Sequence, residues 1–226
     1  MGYYKDLTKT SLDDYRNMLL DNYLIPSFRV LLKEIDQTIH IFKSHGITNM
    51  EELRRMLKNK KQDAIVSKKT GISEQYLAVL RRELNSHIPP ERELKEYRTI
   101  SQTTKNKLHN MDIKTSKDLY DHFAMVNDVE ALQKQLDETR SCILHLGKLA
   151  DVSRLRYVSA LFATALVLTP YDTVKKIRLA DTEVLHRHIV QANKKHDLYK
   201  GNLGINDVRF LIQDTASVIS DIEFID

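Results

Sequence analysis

The sequence predicts an all-helical protein assembled from tandem copies of one helical unit. Three observations predict it. Glycine and proline number only 6 and 4 among 226 residues, too few for the many turns of a β-rich fold. Hydrophobic residues make up 42% and charged residues 29%, and the apolar ones recur at helical spacing through segments of moderate length. A motif also repeats: Ile47-Thr48-Asn49-Met50-Glu51-Glu52-Leu53 reads like Ile113-Lys114-Thr115-Ser116-Lys117-Asp118-Leu119, at an offset of 113 − 47 = 66 residues.

Taken in order, Ser11-Leu12-Asp13-Asp14 predicts a helix start, with a hydroxyl cap and acids in the first turn. Ile25-Pro26-Ser27 predicts a boundary, because the residue before proline resists the helical region. His45-Gly46-Ile47 predicts a helix end with Gly46 as the left-handed cap. Asn85-Ser86-His87-Ile88-Pro89-Pro90 predicts an extended linker. The repeat offset also carries Phe42 to Leu108, Leu77 to Ile143 and Leu80 to Leu146. Tyr171-Asp172-Thr173-Val174-Lys175-Lys176-Ile177 reads as a third copy, with Phe162, Leu166 and Leu168 upstream and Gly204-Ile205-Asn206-Asp207 answering Gly71-Ile72-Ser73-Glu74. In each copy Thr48, Thr115 or Thr173 is expected to cap the helix after a bend, and the Ile or Tyr that lies between the bend and that cap to pack as a staple. Units this small bury their apolar faces only against neighbours, so stacking into one compact or slightly elongated body is expected. The expected organisation is an N-terminal helical extension over residues 1–23 and helical units over 24–89, 90–149 and 150–226.

Several function classes find no support. Cys142 is the single cysteine, so neither an intrachain disulfide nor a cysteine-based zinc cage can form, and a reducing, cytoplasmic setting is expected. The first residues lack the apolar core of a secretory signal, and Asp6 stands where a myristoylation signal wants a hydroxyl residue. The longest apolar stretch, Tyr157 to Leu168, falls short of the roughly 20 residues of a membrane span and predicts a buried helix instead. His186 and His188 point about 200° apart on a helix, unlike paired metal ligands. No phosphate-cradling glycine loop, dinucleotide fingerprint or nucleophile elbow occurs, and Cys142 reads as a half-buried packing thiol. A non-enzymatic protein without cofactor or metal is the expectation. The formal net charge of +4 permits a nucleic acid or an acidic protein as partner, and the acidic end, Asp214, Asp221, Glu223 and Asp226, offsets a more basic interior.

The connections Gly46-Ile47-Thr48 through Leu53, Asp112-Ile113-Lys114-Thr115 through Leu119 and Pro170-Tyr171-Asp172-Thr173 through Ile177 resemble the turn that follows a helix-hairpin-helix unit. More narrowly, Leu80-Arg81-Arg82-Glu83-Leu84-Asn85-Ser86 with Pro89-Pro90, and Val152-Ser153-Arg154-Leu155-Arg156-Tyr157-Val158-Ser159, resemble an uncharacterised bacterial family of tandem helix-hairpin-helix proteins, a domain of unknown function. The likeness runs from about Leu24 to Phe210 and implies the architecture but no activity. One departure concerns function. Nucleic-acid-binding members of that superfamily use hairpin glycines to bring backbone N–H groups against a phosphate. Here the three hairpins read Glu34-Ile35-Asp36, Thr99-Ile100-Ser101 and Tyr157-Val158-Ser159, none with glycine.

Candidate contact residues for a nucleic acid or other anion fall into two groups. At the hairpins stand Ser101 with Lys105, and Arg154, Arg156, Tyr157 and Ser159. The arginines read either as a phosphate clamp beside a stacking aromatic or as helix caps and partners of carboxylates. The densest basic region is Lys58, Lys60, Lys61, Lys68, Lys69, Arg81 and Arg82, an electrostatic footprint or a solvated helix face. The only loop with paired glycines, Lys200-Gly201-Asn202-Leu203-Gly204, reads as a turn before a helix capped by Asn206 or Asp207.

Overall fold

Short helices, many of them started by a polar cap, account for most of the chain in this computed structural model. It describes residues 2–126, 129–219 and 222, with the backbone alone for 124–126. Two compact units emerge, one formed by Lys5–Ile88 and the other by Met1–Tyr4 with Pro89–Asp226.

In the N-terminal unit, Ser11 accepts the N–H of Asp14 at 3.1 Å and opens α1, Leu12–Asp21, with Asp13 and Asp14 set against the positive end of the helix dipole. Pro26 opens a 3-10 run, Pro26–Lys33, as the sequence predicts for this boundary. Helix α2, Ile35–Ser44, ends before Gly46, whose φ of 80° is the left-handed conformation expected there. After it come α3, Met50–Met56, α4, Lys60–Thr70, and α5, Glu74–Ser86, with Gly71 at φ 76° between the last two. Asn85 and Ser86 thus belong to α5, and the linker begins only at His87. The apolar stripes converge on Phe42, Leu53, Leu57, Leu77 and Leu80, all fully buried. Each such side chain contributes roughly 1.5–3 kcal/mol through removal from water.

The C-terminal unit contains α6, Gln102–Asn110, α7, Ser116–Val126, α8, Val129–Leu136, and α9, Arg140–Val152. Helices α10, Ala160–Val167, α11, Val174–Arg178, α12, Thr182–His196, and α13, Ile205–Asp214, complete it. Tyr3 docks into this core: its hydroxyl is paired with Ser116 Oγ at 2.8 Å and donates to the Ser153 carbonyl. The apolar stretch beginning at Tyr157 forms α10, buried along most of its length, although Tyr157 and Leu168 are exposed. Among the described residues, no helix is long and apolar enough to cross a membrane.

Both units close the same bend in the same way. Ser11 and Asn49 form an isolated antiparallel bridge, flanked by Leu12 N–H to the Thr48 carbonyl and Met50 N–H to the Thr10 carbonyl. Glu93 and Thr115 repeat it, with Leu94 N–H to the Lys114 carbonyl and Ser116 N–H to the Arg92 carbonyl. Asn49 and Thr115 then cap α3 and α7, accepting from Glu52 N–H and Asp118 N–H. The same two acids reach back to Thr48 N–H and Thr115 N–H. The expected cap Thr48 is therefore displaced by its neighbour Asn49, which is the residue that the 66-residue offset aligns with Thr115. Thr48 instead donates its hydroxyl to Glu52.

At the third bend Thr173 does cap α11, accepting from Lys176 N–H at 3.2 Å. There the free N–H of Val174 is taken by Asp151 of α9, at 2.9 Å. Asp151 also binds the Arg154 guanidinium at 2.6 Å inside the core. The match of Gly204 to Gly71 does not hold in the backbone. Gly71 ends α4 in the left-handed region, whereas Gly204 precedes α13 with φ −84° and donates its N–H to Asp207.

Two outcomes follow for stability. Asn49→Ala and Thr115→Ala are each expected to lose about 1 kcal/mol, the usual worth of a helix cap, with Thr48→Val losing less. Asp151→Ala removes one member of a buried ion pair as well as the acceptor of the Val174 N–H, and a loss of about 3–5 kcal/mol is expected. Urea denaturation followed by circular dichroism measures both, and a near-neutral Asp151→Ala would show that the pair does not anchor α11.

Candidate nucleic-acid interface

Residues 57–73 hold five lysines and one aspartate, a formal +4 that equals the net charge of the entire chain. The rest of the sequence sums to zero, although residues 98–117 also carry a formal +4, offset by acidic stretches elsewhere. Asp63 is the only acid of residues 57–73 and is 1% exposed, on the side of α4 that packs against α5. Its carboxylate accepts two hydrogen bonds from Arg81 Nε, at 3.0 and 3.2 Å. On the other side, Lys60, Lys61, Lys68 and Lys69 stand one above the other around Ala64 and the half-exposed Ile65, with Lys58 just ahead of the helix. From Lys60 to Lys69 this cationic face extends about 13 Å along the helix. None of these five lysines forms an ion pair among the described residues.

Local helix physics does not ask for this pattern. Lys68 and Lys69 in the last turn suit the negative end of the dipole, but Lys60 and Lys61 occupy the first turn, where carboxylates are favoured. Asn59 must supply the cap, accepting from Gln62 N–H at 3.1 Å. Cations that oppose the dipole and lie on the solvent side contribute nothing visible to folding.

The remaining basic candidates are placed differently. Arg81 is turned inward to Asp63, while Arg82 is exposed on α5. Nearby Arg54 and Arg55 both bind Glu51, and the Arg54 guanidinium foremost holds that carboxyl below the usual carboxylate range.

At the third hairpin, Arg154 is 3% exposed. Its guanidinium contacts Asp151, the Tyr120 hydroxyl and the Ile219 carbonyl, and lies 4.4 Å from the centre of the Tyr120 ring. Arg156 is largely covered, with Nε 3.9 Å from Asp214 and its guanidinium over the rings of Tyr157 and Phe210. Of the two readings left open for these arginines, the geometry matches pairing with carboxylates. Tyr157 is half exposed at φ 64° and leans on Phe210, with ring centres 5.5 Å apart. Ser159 and Ser101 cap α10 and α6, accepting from Phe162 N–H and Thr104 N–H. Asp214, expected to offset a basic interior, is itself buried against Arg156; Asp221, Glu223 and Asp226 lie outside the described residues.

Lys105 lies in a groove of about 460 Å³ in the C-terminal unit. One wall is the face of α6 that carries Gln102, Lys105, Asn106 and His109, which are spaced one turn apart. Leu94 and Ile113, both buried, form a narrow apolar floor, and Glu93, Lys95 and Lys114 also line the groove. Sequence reasoning found Lys105 and missed His109, Lys95 and Lys114; the signal present was the polar i, i+3, i+4, i+7 spacing on α6.

The other candidate chemistry is absorbed by packing. His186 Nε2 meets the Leu203 carbonyl at 2.8 Å, and the His188 ring packs edge-on to Tyr171. Among the described residues no group of histidine, cysteine and acidic side chains is arranged to hold a metal. Burial, reinforced by Glu138, pushes the Cys142 thiol up. Such a thiol is protonated at neutral pH and poorly nucleophilic.

Fold and surface together define a class: an all-helical protein with a face of lysines, unpaired among the described residues, on one helix. A family model described as "Domain of unknown function (DUF4332)" matches residues 98–217, and the chain belongs to that family. No curated protein and no solved structure matches the chain.

The raised thiol gives a direct check. Alkylation of Cys142 by iodoacetamide is expected to lag behind a free thiol at pH 8 and to accelerate as pH rises further. Glu138→Gln, which removes the neighbouring negative charge, is expected to speed it on the order of a few-fold. A rate equal to that of free cysteine would refute the buried environment.

Proposed function

We propose that the protein is a non-enzymatic binding scaffold of tandem helix-hairpin-helix-like units that engages the phosphate backbone of nucleic acid through the outer face of α4. The observation that carries this reading is the outer face of α4, whose lysines have no ion-pair partner among the described residues and whose neighbouring acid, Asp63, is neutralised internally by Arg81. A polyanion releases its condensed counterions when such a face docks, and that release supplies binding without base contacts.

The repeat reading is supported by element positions. Helix α9 begins and ends 66 residues after α5, and the bridged residues Asn49 and Thr115 correspond at the same offset, although their partners Ser11 and Glu93 do not. The hairpins themselves lack glycine, so the reading assigns contact to α4 and leaves the hairpin serines as caps.

Fluorescence anisotropy with a labelled 20-base-pair duplex across a salt series tests the proposal. With five lysines engaged, log affinity is expected to fall against log salt with a slope of about −4.5. The variant K60E/K61E/K68E/K69E is expected to abolish binding while leaving the helical spectrum intact. Absence of salt-dependent binding, or a variant that binds as the parent does, overturns it.

A further inference from the structure

The groove along α6 is independent of the α4 face and belongs to a different unit. Its volume of about 460 Å³ lies in the range of small-molecule sites, roughly 300–1,000 Å³. We propose that it is a binding site for a nucleotide-sized organic phosphate, with the phosphate on the Lys105 side and a ring body along Leu94 and Ile113.

The charges favour a dianion. Lys105 forms no ion pair among the described residues, and its ammonium reaches the Lys95 carbonyl at 3.4 Å; Glu93, which lines the same groove, is engaged with Lys95. Lys95 and Lys114 are held by Glu93 and Asp112, whose side chains are 57% and 86% exposed. Surface pairs of that kind are worth little. An incoming phosphate, with close to two negative charges and three acceptor oxygens, outcompetes either carboxylate for these ammoniums.

The rest of the groove calls for more than an inorganic anion. Leu94 and Ile113, only 4% and 5% exposed, give its floor a narrow apolar strip against which the edge of a ring can lie. Gln102 Nε2 donates to Asn106 Oδ1 at 2.9 Å, which orients the Asn106 NH2 as a donor and leaves the Gln102 carbonyl as an acceptor. Such a donor–acceptor pair suits the polar edge of a nucleobase. Inorganic phosphate would leave both the floor and the amides unused.

Titration of ¹⁵N-labelled full-length protein with adenosine monophosphate, in parallel with adenosine and with inorganic phosphate, tests the assignment. Saturable shifts are expected in residues 93–95, 102–109 and 113–115, with the monophosphate binding at least about tenfold more tightly than either fragment. Lys105→Glu is expected to weaken it by about tenfold or more, through loss of one charge-assisted contact, with Lys105→Arg retaining it. K60E/K61E/K68E/K69E is expected to leave this titration unchanged, so the site stands or falls apart from the nucleic-acid reading. Lack of saturable shifts, equal binding of either fragment, or an unaffected Lys105→Glu overturns the assignment.

Discussion

The architecture depends on closing a tight bend ahead of a helix whose first N–H groups have no partner within the helix. At Asn49 and at Thr115 three devices meet: a one-residue backbone bridge, a side-chain cap and an acid reaching back from the first turn. Each satisfies a backbone group that would otherwise be stranded where the chain turns inward. The bridge also fixes position over long sequence separations, tying Thr10 and Leu12 to Met50 and Thr48, and Arg92 and Leu94 to Ser116 and Lys114. Helices of about ten residues have little stability alone, so this registration allows their apolar faces to meet. At the third bend the same need is met from outside, by Asp151 of α9, which links capping of α11 to the buried Arg154.

Much of this was legible because it is local. Ser11, Pro26 and Gly46 mark boundaries through their own backbone and side-chain preferences, and the structure ends or begins helices beside each. Periodicity identified Phe42, Leu77, Leu80, Leu108, Ile143 and Leu146 as core, and all are buried. Where local chemistry offered two adjacent caps, Thr48 and Asn49, the motif's look misled; the bridge to Ser11 decided in favour of Asn49.

The candidate sites were less legible because an arginine's role depends on a partner distant in sequence. Arg81 finds Asp63 eighteen positions earlier, and Arg156 finds Asp214 fifty-eight positions later. No local pattern announces those encounters, so a dense basic run overstates what reaches the surface. Asp63 subtracts from the run's formal charge, yet its carboxylate is matched inside and does not shield the lysines beyond it. Lys95 and Lys114 were hidden for the converse reason: each stands among charges of mixed sign, and only folding brings the two to the groove along α6.

Which cation stands where carries the last step. The guanidiniums of Arg54, Arg81, Arg154 and Arg156 are engaged with carboxylates within the protein. That is the geometry in which a planar fork of donors exceeds a point charge. The solvent face of α4 carries lysine alone, on flexible stems whose ammoniums remain well hydrated. Base-edge recognition draws on arginine, asparagine and glutamine held in fixed orientation, whereas mobile ammoniums match charge and little else. A surface of this composition suits a repeating phosphate backbone and gives no means of distinguishing one base sequence from another. Paired amides lie on α6 instead, at Gln102 and Asn106, beside a groove of about 460 Å³, the proposed site for a single small ligand. The two surfaces therefore divide the chemistry: charge without shape on α4, shape with charge on α6.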